Sequence, residues 1–455
     1  LNEAWYTRFW SQSYGTFDEI PLPGFTSYGT SPNPGMELDF KRFSSDALLG
    51  IYLRERDLIR EFDKETPITT NFMSMRHITA MNYWEWAKEV DLVSTDHYLD
   101  FASSDRNTDL AFQADLTRAF AGGKQWLLME HSTSAVNWQP VNPIKSTKQI
   151  VSDSLEHIFR GSQGAMFFQF RQSRGGSERF HSALVPAAGI DTRVGRALKE
   201  LSSKIQDIGQ LAANVTERAK VAIVFDFEDQ WVTQQANLPS SKLDYFQEVF
   251  KWYKALSQLS VRVDFIDKGE SFLEFSEYDY VFAPMMHIVD QDLAERLLKF
   301  VEGGGYFYST YFSGISDKNL QFSVNGMGAE FLGPVFGVKL EEFAPMLAQE
   351  GKLSNGLRHS LWRELINVED QQTIIASFED AEELTGWPAI VSKTVGSGRS
   401  VYVATSLDDN SLVSFLTNEL NISNGHQPVE VTRGKLQFLR DLSGQHKITD
   451  VMPSN

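Results

Sequence analysis

An α/β protein built around half of a (β/α)8 barrel, followed by an open α/β domain and the start of a small β domain, is the fold this sequence predicts. Three observations carry the prediction. Between residues 67 and 206, short apolar runs alternate with amphipathic stretches, and polar residues close each run. That is the rhythm of a parallel barrel. Around residues 208–220 the texture changes and a second βα series begins. Finally, Trp126-Leu127-Leu128-Met129 ends abruptly in Glu130. An unbroken apolar run is a buried parallel strand, and a carboxylate at its carboxyl end stands where barrels keep their catalytic groups.

Taken in order, residues 1–40 are rich in aromatics, Gly and Pro, and read as an irregular segment that either walls a site or packs on the surface. Residues 41–64 read as a helix, with Phe43, Leu48, Tyr52 and Leu58 on one face. Pro67–Phe72 is a strand carrying Asn71, and 81–89 a short helix. Leu92-Val93-Ser94 is a strand followed by Asp96-His97-Tyr98. Residues 108–121 are a helix, 126–129 a strand, 147–160 a helix, 165–170 a strand and 192–206 a helix. This makes about four βα units, half of a closed barrel. The second series comprises strands at 221–225, 261–266, 280–283, 306–310 and 401–404. Gly303-Gly304-Gly305 lies before a strand, which favours a helix-to-strand turn over a phosphate loop. From about residue 427 a β segment begins. The expected domains are 1–207, 208–426 and 427–455.

Composition narrows the function. The net charge is -18, from 42 basic and 60 acidic residues, and no basic stretch offers a phosphate-binding surface, so neither nucleic acid nor an anionic membrane is expected as partner. No apolar run approaches the ~18 residues of a membrane span. The absence of cysteine removes disulfides, thiolate metal sites and a cysteine nucleophile, and fits a reducing, cytoplasmic setting. No metal or other cofactor is expected.

The chemistry centres on Glu130. Glycoside hydrolysis needs two carboxyl groups across the scissile bond; Glu130 is the nucleophile candidate, though a glutamate at a strand end can also be a salt-bridged loop residue. Trp138 could offer an apolar face to a sugar ring. Glu178 and His181, in a loop with Phe168, Gln169 and Arg171, suit hydroxyl recognition, a structural polar cluster, or a metal site. Asp96-His97 fits barrel-lining polar residues better than a catalytic pair, because neighbours on a strand point to opposite faces.

Together these residues resemble glycoside hydrolase family 42, the β-galactosidases of the retaining (β/α)8-barrel clan. The matching runs include Ala4-Trp5, Phe9-Trp10-Ser11, Pro67–Met73, Asp91–Ser94 with Asp96 and Tyr98, Met129-Glu130, Asn137-Trp138-Gln139-Pro140, Gln169–Gly176, Phe180-His181 and Tyr311–Ile315. The resemblance implies Glu130 as nucleophile and Trp138 as the sugar-stacking residue. It implies Phe168, Glu178 and His181 as the galactose subsite and Tyr83 as the tyrosine touching the nucleophile. It makes the barrel portion the carboxyl-terminal half, the second domain a trimerisation domain, the assembly a homotrimer and the partner a galactoside or galacto-oligosaccharide. The family's acid/base glutamate belongs to an Asn-Glu pair upstream of Ala4-Trp5; Asn2-Glu3 is not that pair. The expected activity is retaining hydrolysis of terminal β-D-galactosyl residues. An α-L-arabinopyranosidase and a catalytically silent sugar-binding or oligomerising protein are the alternatives.

Overall fold

A computed structural model describes residues 8–23, 32–208, 218–269, 275–323, 326, 332–347, 350–368, 374–379 and 383–420, and the backbone of three later strands. Ala4-Trp5 and the Asn2-Glu3 pair lie outside the described residues.

The first unit contains α1 (Pro34–Phe62), β1 (Asn71–Phe72), α2 (Tyr83–Ala87), β2 (Ser94–Asp96), α3 (Arg106–Phe120), β3 (Trp126–Glu130), α4 (Thr147–Phe159), β4 (Ser162–Ala165) and α5 (Arg193–Ile208). Its four strands pair in parallel in the order β1-β2-β3-β4. The half-barrel expected from the βα alternation is therefore present. Helix α4 begins on a capping box in which Ser146 and Gln149 satisfy each other's backbone amides. It buries Ile150, Leu155 and Ile158 against Val194, Ala197 and Leu201 of α5.

Two expectations need correction here. Helix α1 starts at Pro34 rather than 41, because the Asn33 side chain caps the Met36 amide at 3.2 Å and Pro34 is preset for the first turn. Its predicted apolar face does not form a buried stripe: Phe43 is 66% and Leu58 59% exposed, and the buried residues are Gly35, Met36, Leu38 and Ser45. The last strand of the half-barrel is Ser162–Ala165, not 165–170. After Ala165 the regular ladder ends, although the Met166 amide still donates to the Leu128 carbonyl at 3.0 Å and the Phe168 amide to the His131 carbonyl at 3.2 Å.

The second unit contains β5 (Val221–Val224), α6 (Phe227–Thr233), α7 (Tyr245–Gln258), β6 (Val263–Ile266), β7 (Tyr280–Ala283), α8 (Gln291–Glu302) and β8 (Tyr306–Thr310). There follow α9 (Gly333–Phe336), β9 (Val338–Phe343), β10 (Gly351–Lys352), β11 (Arg358–Val368), β12 (Ile374–Ser377), β13 (Pro388–Val395), β14 (Gly398–Val403), β15 (Thr405–Leu407) and α10 (Asp409–Glu419). The main sheet runs β12-β13-β14-β8-β7-β5-β6. Its β6, β5, β7, β8 and β14 are parallel, as the second series predicted. The antiparallel β12–β13 edge and the small β9–β10–β11–β15 sheet were not foreseen. Buried His359 and Glu364 interrupt the apolar alternation that would have marked β11. The glycine triplet is a turn: Gly304 has φ +111°, and a Cβ on Gly305 would meet the Phe300 ring at 2.3 Å. Beyond it, Val429–Arg433, Leu436–Arg440 and His446–Asp450 form an antiparallel meander.

The two units share a core. Phe112 of α3 packs edge-on against Phe246, Phe250, Tyr253 and Phe265. Arg42 grips Glu228 with two 2.6 Å hydrogen bonds, and Arg118 meets Asp264 at 2.8 Å. The Trp84 indole donates to the Phe225 carbonyl at 2.9 Å. Among the described residues, no helix is long and apolar enough to cross a membrane.

Candidate active site

Strand β3 delivers Glu130 through a break in its pairing. Trp126 and Leu128 are both buried and share one face; the Trp126 indole donates to the Arg160 carbonyl at the end of α4. Strict alternation would send Glu130 to that same helix side. Instead the register slips, with Leu128 opposite Thr95 but Glu130 opposite Asp96. The extra residue, Met129, turns Glu130 to the open face and sends His131 to the helices, the re-aiming that bulges perform beside active sites.

On the open face the Tyr98 hydroxyl donates to Glu130 Oε2 at 2.7 Å. Burial and the Glu130 charge push the Tyr98 hydroxyl well above its ordinary range, so it remains a donor. Asp96, opposite Glu130, accepts from the Asn71 amide. Burial, reinforced by the neighbouring Glu130 charge, raises the Asp96 carboxyl to about 7. Burial first, and the like charge at the paired strand end after it, thus favour the protonated carboxyl more than at an exposed aspartate.

The loops after β3 and β4 wall this hollow and are knitted together. The Asn137 amide donates to the Ser177 carbonyl at 2.6 Å, the Ser134 amide to Ser182 Oγ at 2.9 Å, and the Ser182 amide to the Ala135 carbonyl at 2.9 Å. Gln169 holds the Glu178 carbonyl and Ser173, and the Phe168–Gln169 peptide is cis. His181 is fully buried and is ringed by Trp138, Phe168 and Tyr98, with centroids 5.3, 5.0 and 6.0 Å away. Trp138 meets Tyr98 edge-on at 4.8 Å while remaining 52% exposed. His181 Nδ1 faces the Ser182 carbonyl at 2.8 Å, which makes it the donor and leaves Nε2 as an acceptor in the neutral ring.

Several polar atoms here are buried without a hydrogen-bond partner: Asp96 Oδ1, Asn137 Oδ1, Glu178 Oε2 and His181 Nε2. Native interiors rarely leave such atoms unpaired. A cluster of them beside exposed aromatic faces suits a ligand rich in hydroxyls. Among the described residues, no group of three or more His, Asp or Glu side chains could hold a metal ion.

The structure therefore gathers Glu130, Trp138, Phe168 and His181, with the Glu178 charge felt at Tyr98. It does not bring Tyr83 there. The Tyr83 ring stacks on Phe72 at 4.5 Å in the core, and its hydroxyl, pushed up to about 12 by burial, accepts from the Met73 amide at 3.0 Å. The tyrosine that touches Glu130 is Tyr98. Tyr83 opens a helix behind β1, capped by the Asn82 side chain, whereas Tyr98 follows β2 two residues after Asp96 on the same face. Alternation along Asp96-His97-Tyr98 carried that signal.

Fold and site define a (β/α)-barrel protein of the glycoside hydrolase type, its strand-end carboxylate facing an aromatic, amide-lined hollow. Residues 1–208 match the glycoside hydrolase family 42 profile, described as beta-galactosidase, and residues 219–423 match a profile described as beta-galactosidase trimerisation domain. A beta-galactosidase from an Arthrobacter species is 39% identical over 97% of this chain and 62% of its own length. Beta-galactosidase BgaP from Planococcus sp. (strain L4) is 33% identical over 99% of this chain and 69% of its own. The crystal structure of the beta-galactosidase from Rahnella sp. R3 superimposes with a TM-score of 0.86 at 30% identity, covering 97% of this chain and 68% of that one. The chain belongs to glycoside hydrolase family 42, and it spans between six and seven tenths of the length of these relatives.

Proposed function

We propose that the chain carries the nucleophile and galactose subsite of a retaining β-galactosidase. The observation that carries the reading is Glu130, re-aimed by the bulge in β3, held by the Tyr98 hydroxyl and facing unpartnered polar atoms among aromatic rings. In this mechanism a Glu130 oxygen attacks the anomeric carbon while the bond to the aglycone breaks. The bonding pair leaves on the glycosidic oxygen, which takes a proton from a general acid. Water then cleaves the galactosyl ester and regenerates the Glu130 carboxylate. Tyr98 keeps one Glu130 oxygen occupied, so the other is the one presented to the sugar.

Retention requires a second carboxyl group roughly 5–5.5 Å from the first. Resemblance assigns that acid to the family's Asn-Glu pair rather than to Asp96, which is held sideways by Asn71. Trp138 provides the stacking face, Phe168 the floor, and Glu178 and His181 Nε2 accept from sugar hydroxyls. The trimerisation-domain match supports a homotrimer, which sedimentation equilibrium would test against the monomer mass.

The test is Glu130→Ala in the whole protein with a nitrophenyl β-galactoside. Hydrolysis should collapse, and azide should restore turnover by giving the galactosyl azide of inverted configuration. Hydrolysis that survives unchanged would remove Glu130 as nucleophile.

A further inference from the structure

Behind the sheet, opposite the hollow, lies a buried chain of imidazoles that the proposed chemistry does not use. His97, His131 and His157 are each at most 1% exposed, and Lys145 is fully buried beside them. His97 immediately precedes Tyr98, and His131 immediately follows Glu130. The alternation of β2 and the bulge of β3 send both rings to α4 while their neighbours face the site.

Donor counting fixes each ring. His157 Nδ1 lies 2.7 Å from the Asp153 carbonyl, which can only accept, so Nδ1 carries the proton. Burial lowers His157 to about 3, so the ring is neutral and its Nε2 is bare. His97 Nδ1, 2.9 Å away, must then donate to it. Ser154 Oγ donates to the Ile150 carbonyl at 2.8 Å and can therefore accept from His131 Nε2 at 3.0 Å. The remaining His131 nitrogen, Nδ1, accepts from the Lys145 ammonium at 3.3 Å. Burial holds His131 far below its ordinary range, consistent with this neutral form. The assignments of His157 and His131 are mutually consistent, His97 Nε2 lies 3.5 Å from Asp109 Oδ2 on the far side of its ring, and both arms end within one turn of α4, at Ser154 and His157.

We propose that His157 is a positioning residue for the nucleophile: with Ser154 it ties the strand ends bearing Tyr98 and Glu130 to a single turn of α4, and so sets the span of the Tyr98–Glu130 hydrogen bond from behind the sheet. This rests on Glu130 being the nucleophile. A neutral acceptor at position 157 is required, not a titrating group. Displacement of reacting groups by about 1 Å costs on the order of 10²-fold in rate.

The experiment measures kcat and KM separately for His157→Leu and His157→Gln in the whole protein, with Glu130→Ala as reference. Leucine fills the volume without an acceptor; glutamine places an amide oxygen near the Nε2 position. The leucine variant should lose roughly 10²-fold in kcat with KM within about threefold, and glutamine should restore most of it. An unchanged kcat in the leucine variant, or equal losses in both variants, would overturn the proposal. Should the leucine variant fail to fold, Ser154→Ala tests the other arm. A kcat loss of about tenfold is expected there, and an unaltered kcat overturns the proposal. Hydrolysis persisting in Glu130→Ala would instead remove the nucleophile assignment, leaving the two failures distinguishable.

Discussion

Two parallel sheets in this molecule carry acidic residues at the carboxyl ends of their strands, and they treat them in opposite ways. In the half-barrel, Glu130 and Asp96 face each other across a register slip, with no cation bound to either among the described residues, and unpaired polar atoms gather beside them. In the second sheet, Asp226 after β5 and Asp229 in α6 are closed by Lys268, which lies 3.1 and 2.8 Å from them and also donates to the Ile288 carbonyl. Open α/β sheets bind ligands where the strand order reverses. Here that place lies between β5 and β7, and it is filled by an internal ion pair and roofed by the half-barrel, whose Trp84, Arg42 and Thr79 meet Phe225, Glu228 and Trp231. Topology thus nominates two sites. Charge pairing decides that one remains chemically available and the other becomes a dock between units.

The comparison can be broken or sharpened by substitution. The largest effect is expected at the open site: Glu130→Gln should lower kcat/KM by on the order of 10⁴-fold, about 5 kcal/mol, without lowering the midpoint of denaturant unfolding. A destabilised variant would mean that Glu130 is structural, like its counterparts in the second sheet. Next comes the closed site, where Lys268→Met should cost about 3–5 kcal/mol of stability, because two buried carboxylates lose their shared cation. Chemical denaturation at neutral pH checks this.

Glu364, wholly buried in the second unit, gives a third test. Burial raises its carboxyl from 4.5 to about 7, against the lowering effect of hydrogen bonds from the Phe312 amide, Tyr402 and Trp362. The folded state therefore binds a proton that the unfolded state releases, and stability from this group falls as pH rises from about 4.5 through about 7. Glu364→Gln can keep the same contacts, so it should remove up to roughly 3 kcal/mol of that slope, read from unfolding at pH 5 and pH 8. The smallest effect is at the rim of the open site. Trp138→Ala should raise KM roughly fivefold, about 1 kcal/mol, and leave stability unchanged because the ring is half exposed.

Much of this was legible in the residues. The runs ending at Glu130 and at Ala283 announced parallel strands because buried strands are apolar without interruption. The loop after β4 was legible as a polar and aromatic cluster, since Phe168, Glu178 and His181 combine flat faces with acceptors, and the structure gathers Phe168 and His181 beside Tyr98 and Trp138. The α1 stripe misled because periodicity reports an apolar face but not whether anything covers it. Strand β11 escaped because its buried His359 and Glu364 break the apolar alternation and draw on partners distant in sequence, such as Thr405 and Tyr402.

By itself, then, the sequence determined the alternation of strands and helices, the strand that ends in a carboxylate, and the glycine turn before β8, all of which depend on near neighbours along the chain. Only the tertiary structure decided that Tyr98 rather than Tyr83 meets Glu130, and that one sheet end stays open while the other is sealed. Those outcomes turn on a one-residue slip between β2 and β3 and on a lysine reaching two aspartates from another strand. Pairing between strands sets such features, and no local pattern encodes them.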